Sequence, residues 1–141
     1  MCTARYFTIV DLIKSITAER LKIDNQPNDE VRKELEITAC KVNLISLIAH
    51  AYGATIRVTS GYRCKRLNQA VGGVKNSLHM QGRAVDFVVS DIEVKRKLHN
   101  ALKEEACLKL LGICELIEYP SFIHVGFLRL SLEVKSKKQK L

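Results

Sequence analysis

The chain places an aspartate, Asp86, in the middle of AVDFVV, residues 84–89, a run that is otherwise apolar. Such a run reads as a strand packed against a core. A carboxylate within it is costly to bury unless it is paired or holds a metal. Any fold open to this chain must therefore bring partners to Asp86. His79 lies seven residues earlier, and His124 lies far downstream in FIHVGF. Two imidazoles and one carboxylate form an acceptable ligand set for a catalytic zinc with one open position. Spacing alone is equally compatible with a loop histidine and a structural aspartate, because short motifs match by chance.

The rest of the chain reads as the frame for these residues. A short helix is expected over 7–15, with Thr8 as cap and Asp11 at the third position of a capping box. A polar connection follows over 18–29. From 29 to about 52, Val31, Leu35, Thr38, Val42, Ile45 and Ala49 recur at helical steps. Asn28 is a good N-cap for this main helix, and Gly53 a natural stop. His50 reads as a terminal or packing residue. TIRVTS over 55–60 alternates and is β-branched, which predicts a strand. Residues 61–81 read as loop, with a helical turn at LNQAV and a turn at Gly72–Gly73.

After the strand at 84–89, a helix is expected from Ser90 to about 111, opened by Ser90 and Glu93 in capping-box spacing. His99 reads as a solvated face residue. Gly112 closes the helix. Strands over 113–119 and 122–130 then meet at Pro120–Ser121, with His124 inside the last. This order predicts a small α+β domain with an antiparallel sheet flanked by helices.

With 141 residues the chain is long enough for one domain with its own core. Its formal charge of +8 favours an anionic partner. No recognised nucleic-acid motif accompanies that charge, so a specific nucleic-acid role is not expected. The five cysteines are odd in number and lack CxxC spacing, which predicts free thiols from a reducing compartment. Cys40 and Cys107 fall in apolar helical patterns, where burial is expected. The N-terminus lacks the pattern of a signal peptide, and no apolar run has transmembrane length.

Four motifs occur in order: SGYR at 60–63, LNxAVGG at 67–73, SxHxxGxAxD at 77–86, and FIHV around His124. Together they resemble the M15 peptidases, the zinc D-Ala-D-Ala carboxypeptidase and L-Ala-D-Glu endopeptidase group, and most closely their small phage and bacterial cell-wall branch. The resemblance runs from about 7 to 127. It implies a Hedgehog/DD-peptidase-like fold over 1–134, followed by a basic tail over 135–141, and a single Zn²⁺ on His79, Asp86 and His124. It implies that Arg63 acts in catalysis by holding substrate oxygens near the zinc, as a planar guanidinium suits, and that Ser77 orients the loop or contacts substrate.

Members of this group often carry an acid three positions before the last ligand. Here that position is Ser121, so the base is expected to be Glu118, nearer the turn, with Glu115 in reserve. The implied activity is hydrolysis of a peptide bond in peptidoglycan stem peptides. It would be performed by a monomer made without a signal peptide and acting at the cell wall, as a phage lysin released at lysis would. The missing acid supports one rival, a zinc-binding wall or virion module that has lost catalysis.

Overall fold

The structure, a computed structural model, describes residues 4–129. Its main helix, α3 (Asp29–Ala51), follows the pattern that predicted it: Leu35, Ala39, Val42, Ile45 and Ala49 are all buried. The Asn28 side chain caps it by accepting from Val31 N–H at 2.9 Å. Before α3 come two short helices, α1 (Ile9–Ile13) and α2 (Ile16–Leu21). The second was expected to be a polar connection. It buries only Ala18, so no apolar stripe announces it, and Ser15 starts it by accepting from Ala18 N–H at 3.1 Å.

Four strands form one antiparallel sheet: β1 (Ile56–Ser60), β2 (Ala84–Val89), β3 (Ile113–Glu118) and β4 (Ile123–Phe127), in the order β1-β2-β4-β3. The α+β architecture is as expected. Alternation gives the sheet two unlike faces. Val85, Phe87, Ile123, Val125 and Phe127 point into the core shared with α3. Asp86 and His124 point the other way, toward the loops between β1 and β2.

The helical turn expected at LNQAV is a helix, α4 (Lys65–Ala70), and the loop over 61–81 also holds a 3₁₀ turn (Leu78–Gln81). Other local expectations are corrected. The helix expected over 90–111 is two helices, α5 (Ile92–Lys103) and α6 (Glu105–Leu111), broken where Glu104 adopts an extended conformation. Asp91 caps α5, accepting from Glu93 and Val94 N–H, while Ser90 instead accepts from Thr55 N–H and ties β1 to the end of β2. His99 is largely covered, with Nδ1 3.8 Å from Glu118 Oε1, because the β3–β4 hairpin folds over it.

Cys40 is exposed on the outer side of α3 and Cys107 is only partly buried, so neither is a core thiol. Cys64 and Cys114 are free as well. Cys2, Leu130 and the basic tail lie outside the described residues.

The SGYR loop is docked on α1 by Tyr62 N–H, which donates to Leu12 O at 2.7 Å. Asn25 reinforces this contact: its amide donates to Ile13 O and Tyr62 O and accepts from Cys64 N–H. Gly61 permits the approach, since a Cβ there would lie 2.3 Å from Leu12 O. Gly61→Ala is expected to destabilise the protein by about 1–3 kcal/mol, the usual cost of overpacking. A urea denaturation midpoint equal to the parent's would refute that.

Candidate metal centre

His79 sits in the 3₁₀ turn. Ser77 begins this turn, its hydroxyl accepting from His79 N–H at 3.1 Å. Gly82 ends it at φ +72°, a left-handed conformation that suits glycine. Thr38 on α3 donates to Gly82 O at 2.6 Å, and Arg63 N–H donates to His79 O at 3.1 Å. The turn is thus pinned from both sides.

The imidazole of His79 is only 2% exposed. Its Nδ1 lies 2.7 Å from Gly61 O. A carbonyl can only accept, so Nδ1 carries the proton and Nε2 presents a lone pair. That Nε2 is buried and has no hydrogen-bond partner among the described residues. Buried polar atoms are seldom left so, and one such atom beside a carboxylate points to a missing ligand. A backbone carbonyl behind the far nitrogen is the arrangement by which proteins orient metal-binding imidazoles.

Asp86 and His124 stand directly opposite one another in the β2–β4 register. Residues so paired share a face with their side chains in reach. His124 Nδ1 lies 2.7 Å from Asp86 Oδ1, and His79 Nε2 lies 3.3 Å from the same oxygen. Across His79, Asp86 and His124, one ligand atom from each lies within 4.8 Å of the others. The structure thus brings together all three residues expected to bind metal. A lone-pair nitrogen, a second imidazole and an ionised carboxylate are the donor types that zinc takes, so the residues fit the group.

Electrostatics follow from this crowding. Burial alone would raise the Asp86 pKa, but the hydrogen bond and charge of His124, with the neighbouring imidazole of His79, outweigh it and hold the carboxyl well below its usual range. Burial alone would lower the His124 pKa, but Asp86 and Glu115 outweigh it, and the net shift is upward. Without metal, His124 therefore tends toward imidazolium between two carboxylates.

Arg63 is beside the cluster, its Nη2 3.6 Å from Asp86 Oδ2. Its Nε donates to Ser60 Oγ at 3.1 Å and its Nη1 to Asn68 Oδ1 at 2.9 Å. A guanidinium has five N–H donors, so the side chain is anchored and still has donors for an incoming oxygen. Ser77 is buried, with its hydroxyl turned to the His79 backbone.

The two acids proposed as base part company. Glu118 pairs with Ile123, a core position, and so faces the helices. There it meets Lys95 Nζ at 3.4 Å, while the same ammonium caps Tyr119 O at 2.5 Å. Glu118 belongs to a partly exposed tether of the hairpin to the buried Lys95, and the expectation that it reaches the metal side is corrected. Glu115 lies on the metal side, its Oε1 2.9 Å from His124 Nε2. Ser121, at the exposed hairpin tip, brings no acid to the cluster.

A family model described as Peptidase M15 matches residues 5–126. The chain belongs to the M15 peptidase family. No curated protein matches it. Membership makes the chain a peptidase of a metallopeptidase family, and His79, Asp86 and His124 its candidate metal centre. Among the described residues no helix is long and apolar enough to cross a membrane.

Gly126 is the residue of this M15 peptidase that sequence reasoning missed. It pairs with Glu115, and a Cβ on it would lie 2.5 Å from Glu115 Oε1. The absent side chain makes the space through which Glu115 reaches His124. A glycine inside a strand often marks such a close approach, and HVGF carried that signal.

Proposed function

We propose that this M15 peptidase is a zinc-dependent hydrolase that cuts a peptide bond in peptidoglycan stem peptides. The observation that carries the reading is His79 Nε2, a buried lone pair without a partner that faces an ionised carboxylate and a second imidazole. Zinc held there would polarise a peptide carbonyl and lower the pKa of bound water toward 7.

The chain's own residues supply the remainder. Glu115 holds His124 through Nε2, leaving Nδ1 toward Asp86. Its carboxylate, on the metal side, would take a proton from the attacking water and pass it to the leaving amine. Arg63, anchored by Ser60 and Asn68, would hold substrate oxygens. Ser77 positions the His79 turn.

The rival reading, a zinc module without catalysis, rested on the missing acid at Ser121. Glu115 weakens it, because a carboxylate occupies the metal side by another route. The charge of +8 suits residence on an anionic wall, and the reading extends to a phage enzyme released at lysis and working as a monomer. Mass spectrometry of muropeptides after digestion, with zinc measured on the same sample, tests it. Unchanged muropeptides from a zinc-loaded protein would refute it.

Arg63→Ala is expected to lower kcat/KM by about 10–100-fold, the effect of losing a hydrogen bond to a charged or polarised oxygen, while zinc content holds. Arg63→Lys should recover little, since an ammonium cannot make the paired contact. Parent-like kcat/KM in Arg63→Ala would remove the clamp role.

A further inference from the structure

Sheet order leaves β1 as an outer strand. Among the described residues no other backbone pairs with the outward edge of Ile56–Ser60. Between that edge and the segment running through α1 into α2 lies an open groove of about 580 Å³. Arg5, Lys14, Arg57 and Arg63 all line it.

Among the described residues, no acid pairs with Arg5, Lys14 or Arg57. One acid, Asp11, lines the groove, and its Oδ2 accepts from Thr8 N–H at 2.9 Å as part of the α1 cap. Arg5 is held over the Phe7 ring at 5.0 Å. A concave surface lined by one sign of charge focuses its field outward and draws counter-charge in.

The groove and the metal centre share Arg63 as a common wall. Ser60 lines the groove and also anchors Arg63 Nε, whose guanidinium reaches Asp86. A peptide held at the metal centre can therefore extend along β1. Its anionic groups are carboxylates, on side chains or at the C-terminus.

We propose that this groove is a carboxylate-binding subsite, in which Arg57 and Lys14, with Arg5, hold the acidic part of the peptide being cut. The proposal rests on the peptide-hydrolase reading for its substrate and goes beyond it by giving that substrate a direction, with acidic residues toward β1. Arg57 and Lys14 are exposed, so replacing them leaves the core intact.

The test uses the full-length zinc-loaded protein and a synthetic stem peptide with free glutamate and C-terminal carboxylates, against the same peptide fully amidated. The parent should prefer the acidic peptide in kcat/KM at low salt. Lys14→Gln combined with Arg57→Gln should reduce that preference about tenfold. Lys103→Gln on exposed α5 surface removes a charge elsewhere and should keep it. Fluorescence anisotropy of the labelled acidic peptide on the chelator-treated protein gives a second readout, independent of turnover. There too the double variant should bind about tenfold more weakly.

If no variant cuts either peptide but the anisotropy difference holds, the hydrolase reading fails and the subsite stands. Equal preference in parent and double variant, or equal anisotropy, overturns the subsite. Displacement of the peptide by inorganic phosphate at concentrations where acetate has no effect also overturns it, by making the groove a phosphate site.

Discussion

Asp86→Ala is expected to abolish turnover and to leave the purified protein without metal, since Asp86 supplies one of the three candidate ligand atoms. Disturbing a residue that only supports a ligand lowers metal affinity about 10–100-fold, and removing one of three ligands should cost more. His79→Ala and His124→Ala should behave alike, because each contributes one ligand atom to the same cluster. Metal analysis by mass spectrometry, beside a hydrolysis assay, checks all three. Full metal occupancy in the three variants would refute the site.

The metal-free proteins carry a further signature. Asp86 has a lowered pKa, so its stabilisation is complete above its unfolded value of about 3.9 and fades as pH falls toward the folded one. His124 has a raised pKa, so its stabilisation is complete below its unfolded value of about 6.5 and fades as pH rises through the folded one. In chelator-treated samples, the stability gap between parent and Asp86→Ala should therefore be widest at about pH 4–6.5 and narrow on both sides. Metal binding needs a neutral imidazole, so affinity should climb with pH over the range in which His124 loses its proton. A stability gap that is flat with pH would mean the Asp86–His124 contact contributes nothing to the metal-free fold.

Glu115→Gln is expected to lower turnover by about 10²–10⁴, the usual contribution of a positioned base, and to leave metal in place. Gln keeps the side-chain oxygen that accepts from His124 Nε2–H and loses the capacity to take a proton. Glu118→Gln acts in the other currency. It should weaken the contact with Lys95, which is buried beneath the hairpin, so thermal stability is expected to fall modestly while turnover holds. Measuring turnover, metal content and melting temperature for both variants separates the roles. Parent-like turnover in Glu115→Gln would take the proton acceptor away from Glu115. A large fall in Glu118→Gln without a change in melting temperature would return the role to Glu118.

The candidate metal ligands were legible as a group because their chemistry conflicts with their surroundings. Asp86 and His124 interrupt apolar runs, and such an interruption needs a partner. The long helix was legible from its period. The acids were not, because naming one required the face of a strand and not merely its place in the chain. Ile117 pairs with His124 and Glu118 with Ile123, so 117 and 115 share the metal side and 118 does not. Counting by twos across the turn from the apolar Ile123 would have shown it. The split between α5 and α6 was hidden because residues 92–111 contain neither glycine nor proline to mark a break, which falls at a single extended residue, Glu104. The α2 helix was hidden because a helix held by a serine cap, with one buried alanine, has almost no apolar signature.

The β2–β4 pairing sets Asp86 against His124 across a sheet whose two strands are separated by α5, α6 and β3. This bears on how lineages of the enzyme can change length. An added or lost residue near Glu104 falls in a break between helices and can be absorbed there. The same change inside 84–87 or 123–126 would turn one ligand into the core and a hydrophobic residue onto the metal side. Length variation among functional descendants should therefore gather at the helix break and the hairpin tip, and stop at the edges of those two short strands.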